Sequence, residues 1–135
     1  MAEKWDKYTE EWLKQAEYDL DTARYLFQGR RYIYAIFMAH LALEKTLKGL
    51  ITKTKKTVPP KSHNLIFLLK NTGIEMDRDD ENNAHYLFLS RINELSIPTR
   101  YPHNLSEFQK TFDEKRTREM LEKSQEVFDW LISLR

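Results

Sequence analysis

Apolar residues recur every three or four positions through most of the chain, which is the spacing of one face of an α-helix. No stretch shows the two-residue alternation of a strand. The spacing predicts helices over about residues 6–28, 32–54, 65–70, 80–96 and 113–134. Short connections between successive helices make them antiparallel neighbours. The sequence therefore predicts an all-α fold, an up-and-down antiparallel helical bundle of four to five helices, formed as a single domain by residues 1–135.

The second predicted helix is apolar on most of its circumference. Its large and small residues form two stripes of the same period: Ile36, His40, Leu43, Leu47 and Leu50, and Ala35, Ala39, Ala42, Thr46 and Gly49. Such a helix is surrounded by other helices, and small residues allow one neighbour to approach closely. It is therefore predicted to be the central helix. Glu44, Lys45 and Lys48 interrupt its apolar surface, and Glu44 and Lys48 are spaced as an i,i+4 ion pair.

Four further residues predict how the helices begin, end and pack. Gly29 is expected to be the left-handed residue that ends the first helix. Ser62 is expected to be the N-cap of the short helix over residues 65–70. Pro98 is expected to end the fourth helix. Arg91 falls on the core-facing side of that helix, where a buried arginine needs a carboxylate partner, and Glu44 is a candidate.

Composition excludes several classes of protein. There is no cysteine, hence no disulfide or thiolate site, and only three glycines, too few for a Rossmann or P-loop phosphate cradle. The net charge of +1 provides no overall attraction to nucleic acid or to an anionic membrane. The charged N-terminal stretch does not resemble a signal peptide, and no apolar run is long enough to cross a bilayer. We expect a cytoplasmic protein without membrane contact.

The histidines lack the spacing of a helical metal site, so neither a metal nor another cofactor is predicted. His40 lies in the apolar stripe, which favours a core histidine bonded to a tyrosine, a glutamate or a backbone carbonyl. The lysine-rich connector 53–61 and His63 are consistent either with phosphate or RNA backbone binding or with simple solvation. The segment Thr99–Asn104 places an arginine, a tyrosine and a histidine in one predicted loop, as a binding site or as an arginine–carboxylate clamp.

Three pieces of the chain, taken in order, resemble the HEPN family. They are the helix Ala35–Leu50, with its AxxxALEKxLKxL-like run, the tetrapeptide Ser62–Leu65, and Arg100-Tyr101-Pro102. The resemblance covers nearly the whole chain and implies a four- or five-helix bundle that is often dimeric. It also implies one of two roles, as a nucleotide-binding partner of a small nucleotidyltransferase or as a metal-independent ribonuclease, commonly a toxin.

The ribonuclease motif of that family is an arginine followed by four to six residues and a histidine. Arg100 has the expected place, before the last helix, but His103 follows after only two residues. Arg78 and His85 have the expected spacing, with polar Asp79 after the arginine, but they lie in an acidic segment that would repel RNA. No single arginine–histidine pair therefore satisfies both the place and the spacing of the motif.

The leading prediction is a HEPN bundle that binds a nucleotide or a nucleotidyltransferase-type partner and has no complete catalytic site of its own. Its ligand-binding residues are predicted to be Lys45, Lys48, His63, Arg100 and Tyr101, and a homodimer is expected. The alternative is a ribonuclease of a toxin–antitoxin pair, with RNA as substrate and Arg100 and His103 as catalytic residues.

Overall fold

The computed structural model describes residues 2–75 and 80–135. These residues form seven helices and no strand: α1 Ala2–Gln28, α2 Tyr32–Lys55, α3 Leu65–Asn71, α4 Asp80–Glu94, α5 Ser96–Arg100, α6 Leu105–Thr111 and α7 Glu114–Ser133. The all-α prediction is confirmed, although the helix count of four to five is too low. Within these residues, no helix is both long and apolar enough to cross a membrane.

The turn between α1 and α2 reverses the chain within three residues. Arg31 N–H donates to Leu26 O and Arg30 N–H to Phe27 O, at 2.8 and 3.0 Å, the paired bonds that close a Schellman motif. The left-handed residue of this motif is Arg30, with φ of 61°, and Gly29 has no positive φ. The prediction placed the turn correctly but assigned its left-handed residue one position too early.

Helix α2 is the central helix, as predicted. Every member of the small-residue stripe is buried, and the large stripe is buried with it. Helix α1 packs along α2 and approaches it closely at Gly49, where an added Cβ would lie 3.1 Å from both Trp12 Cβ and a Leu13 methyl carbon. The small side chains therefore allow the close approach that the sequence predicted.

Helix α3 follows the lysine-rich connector, and its N-cap is Asn64. The Asn64 side chain accepts hydrogen bonds from Ile66 N–H and Phe67 N–H. Ser62, the predicted cap, instead accepts from Asn64 N–H at 3.1 Å and so supports the preceding turn. The two side chains satisfy different backbone donors, and only Asn64 lies next to the first helical residue.

Helix α4 ends earlier than predicted. Pro98 does not end it, because it is the third residue of the separate helix α5, a position where a backbone N–H has no partner within the helix. The predicted loop after Pro98 contains the second short helix, α6, with Asn104 as its N-cap. Both helices are too short to show a helical period in the sequence.

The core-facing side of α4 differs from the predicted one. Phe88, Leu89 and Ile92 are buried, whereas Arg91 is exposed and Glu44 has other partners. Ala84 and Leu87, which lie on the same side of α4 as Arg91, are exposed as well. Helix α7 closes the bundle and buries Met120, Val127, Phe128 and Leu131 in the core.

Candidate functional site

The candidate site lies on one side of α2, where Phe37, His40, Glu44 and Lys48 follow at helical spacing. The start of α3 meets this stripe at Glu44, through His63. The last turn of α4 meets it near His40, and the end of α5 at Phe37. Four elements that are distant in sequence thus contribute polar groups to one surface.

Glu44 is a buried carboxylate with a partner on each oxygen. Oε2 accepts a hydrogen bond from Lys48 Nζ at 3.1 Å, and Oε1 lies 3.0 Å from His63 Nδ1. Lys48 is itself nearly buried, with Nζ 5.7 Å from the centre of the Trp12 ring. The predicted Glu44–Lys48 pair is confirmed, and the carboxylate also fixes the orientation of His63, whose side chain is 61% exposed.

Lys45 turns away from this contact towards α1. Its Nζ lies 2.9 Å from Oδ2 of the buried Asp19, an ion pair whose angles do not satisfy a hydrogen bond. Both predicted ligand-binding lysines of α2 are therefore engaged by carboxylates of the bundle. Any effect of theirs on a ligand would act through those carboxylates.

His40 is buried at the centre of the stripe, as predicted, but without the expected hydrogen bond. Among the described residues, neither ring nitrogen has a partner, and the adjacent Asn93 side chain does not meet hydrogen-bond geometry. Burial lowers the pKa of His40 to about 4. Glu44 and Asn93 oppose this lowering of the pKa, and the positive charges of Arg100 and His63 add to it. His40 is therefore neutral at pH 7.

Asn93, near the end of α4, connects that helix to α3. Its Oδ1 accepts a hydrogen bond from Leu65 N–H at 2.8 Å, and its Nδ2 donates to Asn64 Oδ1 at 3.4 Å. The first of these satisfies a backbone donor at the start of α3 that has no partner within the helix. Asn93 therefore positions the segment that carries His63. The sequence contained no local signal for this role, because the contact joins residues 28 positions apart.

Arg100 ends α5 with its guanidinium stacked on the ring of Phe37, at 4.9 Å from the ring centroid. The side chain is exposed, and the next residue, Tyr101, is 77% exposed. His103 is exposed in the following turn. Within the described residues, no hydrogen bond or ion pair joins His103 to Arg100. The two predicted catalytic residues are thus close in the chain without a contact between them.

The alternative arginine–histidine pair is only partly described, because Arg78 and Asp79 lie outside the described residues. His85 stacks on Trp130 of α7, with ring centroids 4.7 Å apart. It also borders a hollow of about 460 Å³ that Lys123 and Val127 of α7 line from the opposite side. His85 therefore belongs to the α4–α7 side of the bundle. In the described part of the chain, no three acidic or histidine side chains converge as metal ligands do.

Comparison with known proteins decides the family. A model of the HEPN domain matches residues 9–134. The chain belongs to the HEPN family. This result confirms the resemblance based on the α2 helix, the Ser62–Leu65 segment and the Arg100-Tyr101-Pro102 segment. No curated protein matches the chain.

Two solved structures share the HEPN fold over nearly their whole length. TT1696 from Thermus thermophilus is 24% identical, with a TM-score of 0.77 over 93% of this chain and 96% of that one. ST0689, described as an archaeal HEPN homologue, is 23% identical, with a TM-score of 0.69 and the same coverage. At these identities the likeness concerns the fold.

In this HEPN bundle we call His40, Glu44, His63, Asn93 and Arg100 the His40 cluster. The structure places two of the predicted site residues, His63 and Arg100, against Glu44 and Phe37, about one turn of α2 to either side of the buried His40. Lys45 and Lys48 are paired with carboxylates of the bundle, and Tyr101 and His103 are exposed close to Arg100 in the chain. A guanidinium and an oriented imidazole, both open to solvent, can together bind an anion and donate hydrogen bonds to it.

Proposed function

We propose that this HEPN bundle binds a nucleotide at the His40 cluster and has no complete catalytic set of its own. One observation carries the proposal: the exposed Arg100 stacks on Phe37 and the exposed His63 contacts Glu44, so the two groups lie about one turn of α2 to either side of His40. They come from separate elements packed on one side of α2. The intervening surface is where a phosphate group and its sugar would lie.

Arg100 has the chemistry of a phosphate ligand. Its guanidinium is always charged, and its planar set of N–H donors matches two phosphate oxygens at once. Stacking on Phe37 engages only the face of the guanidinium. The N–H groups in its plane make no hydrogen bond to any described residue, so they are available to an anion. Phe37 therefore holds the group in place without consuming its donors.

His63 would supply the second contact. Because Nδ1 is held by Glu44, the opposite nitrogen, Nε2, is the one that the exposed ring offers to a ligand. When both ring nitrogens carry a proton, Nδ1 donates to Glu44 and Nε2 can donate to a phosphate oxygen. Tyr101, next to Arg100 and largely exposed, offers a ring on which a nucleobase can stack. The ligand would thus lie between α3 and α5, across the stripe of α2.

Nucleotide titration by calorimetry tests this site. We expect one or more of the common ribonucleotides to bind the wild-type protein. Arg100→Ala should weaken that binding by about 10- to 100-fold, which is the effect of losing a hydrogen bond to a charged group. Arg118→Ala is the matched control, because Arg118 also stacks on a phenylalanine, Phe27, but belongs to α7 and lies outside the His40 cluster.

The histidines provide a second comparison at the same site. His63→Ala should weaken binding, whereas His103→Ala, which also removes an exposed imidazole, should have a smaller effect. If no nucleotide binds, or if Arg118→Ala weakens binding as much as Arg100→Ala, the proposal is wrong. A nucleotidyltransferase-type partner remains part of the proposal, supported by the family pattern, and should co-purify with the tagged protein from its own host.

Ribonuclease activity is the second candidate, and one contact favours it. The Glu44–His63 pair, at 3.0 Å, has the geometry of a carboxylate that orients a histidine for acid–base catalysis. Arg100 would stabilise the charge on the phosphate that is being cleaved. In this version His63 takes the role that the sequence assigned to His103. Overexpression would then arrest growth, and His63→Ala would relieve the arrest more fully than His103→Ala or His85→Ala.

A further inference from the structure

A cleft lies between α4 and α7. The hollow of about 460 Å³ beside His85 continues into a smaller one of about 150 Å³, because Phe88, Arg91 and Lys123 line both. At one end of the larger hollow His85 stacks on Trp130, so the two helices are bridged there. We call the two hollows together the α4–α7 cleft. Its volume falls in the range of about 300–1,000 Å³ that is usual for small-molecule sites.

The floor of the α4–α7 cleft is apolar and its outer edge is exposed. Phe88 and Val127 line the larger hollow and are buried. Leu87, which is 58% exposed, and Ala84 border the same hollow from α4. Ala84 and Arg91 are seven positions apart on this helix, so the apolar stretch is about 10 Å long. An apolar hollow with a few polar groups is the usual form of a site for a small organic ligand.

Two cations stand at the other end of this stretch, one on each helix. Arg91 of α4 and Lys123 of α7 line both hollows, and neither makes an ion pair or a hydrogen bond with any described residue. Glu126 also lines the larger hollow, so the lining there has one net positive charge when the histidine is neutral. The smaller hollow adds Arg116 and Glu119, whose charges cancel. The lining of the cleft therefore matches an anion with a single charge.

We propose that the α4–α7 cleft binds a small amphipathic carboxylate. The head of the ligand lies between Arg91 and Lys123, where the planar guanidinium matches two carboxylate oxygens. The apolar body runs from there towards His85 and covers the exposed Leu87. A phosphate monoester carries more negative charge than the cleft offsets, so the carboxylate is the better match. An aliphatic chain and a substituted aromatic ring have the same chemistry in this cleft, and the probes below distinguish them.

An NMR titration of isotope-labelled protein tests the site, with octanoate as the aliphatic probe and phenylbutyrate as the aromatic one. At least one of them should bind with a dissociation constant of about 1 mM or tighter. The indole N–H resonance of Trp130 should shift, because its ring stacks on His85 at the end of the cleft. The resonances of Trp5 and Trp12, which belong to α1, should not shift. The neutral amide of each probe should bind at least about tenfold more weakly, because it lacks the charge.

Variants that remove one charge locate the head of the ligand. Arg91→Ala and Lys123→Ala should each weaken probe binding by about 5- to 10-fold, because each loses an ion pair that solvent partly screens. Lys115→Ala is the matched control, since Lys115 is also an exposed lysine of α7 but does not line the cleft. Arg100→Ala, which tests nucleotide binding at the His40 cluster, should leave probe binding unchanged.

Filling the cleft tests the position of the apolar body. Ala84→Trp places an indole ring over the larger hollow from an exposed position, and should weaken probe binding at least about tenfold. Asn83→Trp adds the same ring one position away, at an exposed residue that does not line the cleft, and should have little effect. Circular dichroism and thermal melting would confirm that both variants are folded.

Three outcomes would overturn the proposal. If neither probe binds by about 10 mM, the cleft does not take an amphipathic carboxylate. If the neutral amides bind as tightly as the acids, or if Arg91→Ala and Lys123→Ala bind the probes like wild type, the two cations do not hold the head. If Arg100→Ala weakens probe binding as much as Arg91→Ala, the carboxylate binds at the His40 cluster instead. Nucleotide binding at the His40 cluster is measured separately and does not enter any of these outcomes.

Discussion

Replacing Glu44 by glutamine tests how strongly the site depends on one buried carboxylate. The change preserves shape but removes the negative charge that faces Lys48, of which only 8% is exposed. Leaving one member of a buried ion pair without its partner typically costs about 3–5 kcal/mol. The contribution of His63 is smaller, because its side chain is mostly exposed and the contact is screened by solvent.

The expected loss can be measured by thermal unfolding. Unfolding entropy of about 2.1 cal/mol/K per residue gives roughly 0.28 kcal/mol/K for a chain of 135 residues. A loss of 3–5 kcal/mol then lowers the melting temperature by about 10–18 °C. His63→Ala, which removes only the exposed partner, should lower it by less than about 4 °C.

A second substitution shows whether the uncompensated charge is the cause. Lys48→Met removes the buried ammonium group and keeps most of the length and apolar character of the side chain. If the reasoning is correct, the double variant with Glu44→Gln is more stable than Glu44→Gln alone, because no unpaired charge remains. Equal melting temperatures of the single and double variants would refute the argument and indicate that Lys48 reaches water when it loses Glu44.

Three further predictions concern other positions. The pKa of His40 is about 4 in the folded protein and 6.5 in the unfolded chain, so the unfolded chain binds more protons as the pH falls below 6.5. Stability should therefore decrease by about 2 kcal/mol between pH 7 and pH 5 through this residue. Urea titrations should show that the stability of His40→Leu decreases less between pH 7 and pH 5 than that of the wild type. An unchanged decrease would contradict the assignment of this pH dependence to His40. Arg30→Gly should stabilise the protein by about 1 kcal/mol by relieving its left-handed backbone. Gly29→Ala, whose added Cβ would have room, should not destabilise the protein. Destabilisation by Gly29→Ala would instead support the prediction that Gly29 is the left-handed residue. Asn64→Ala should cost about 1 kcal/mol through loss of the α3 cap, and Ser62→Ala clearly less, in chemical denaturation.

The sequence predicted the long helices well because each buries a face with a regular period. The small-residue stripe of α2 even predicted that one neighbouring helix approaches closely, as α1 does at Gly49. Periodicity could not reveal α5 and α6, because helices of five and seven residues complete at most about two turns. Pro98 was misleading for a related reason: proline is compatible with the first turn of a helix as well as with the end of one.

The candidate site was only partly predictable. His63 and Arg100 could be proposed from their residue types and from the family pattern, but their meeting at His40 depends on how α3 and α5 pack on α2. Asn93 could not be found, because its contacts are made across the bundle rather than along the chain. The assignment of Arg91 to the core was wrong because a rotation of α4 of about one residue exchanges Arg91 for Leu89.

The short turn between α1 and α2 has a consequence for the order in which the molecule assembles. Next to this turn, contacts between the two helices join residues that are near in sequence, and such contacts form at low entropic cost. The His40 cluster, in contrast, requires α3, α4 and α5 to be docked on α2. Amide hydrogens of α3 and α5 should therefore exchange with solvent sooner than those of α2, because local opening there leaves the hairpin intact. The surface proposed to bind a nucleotide would then be the last part of the bundle to form and the first to open.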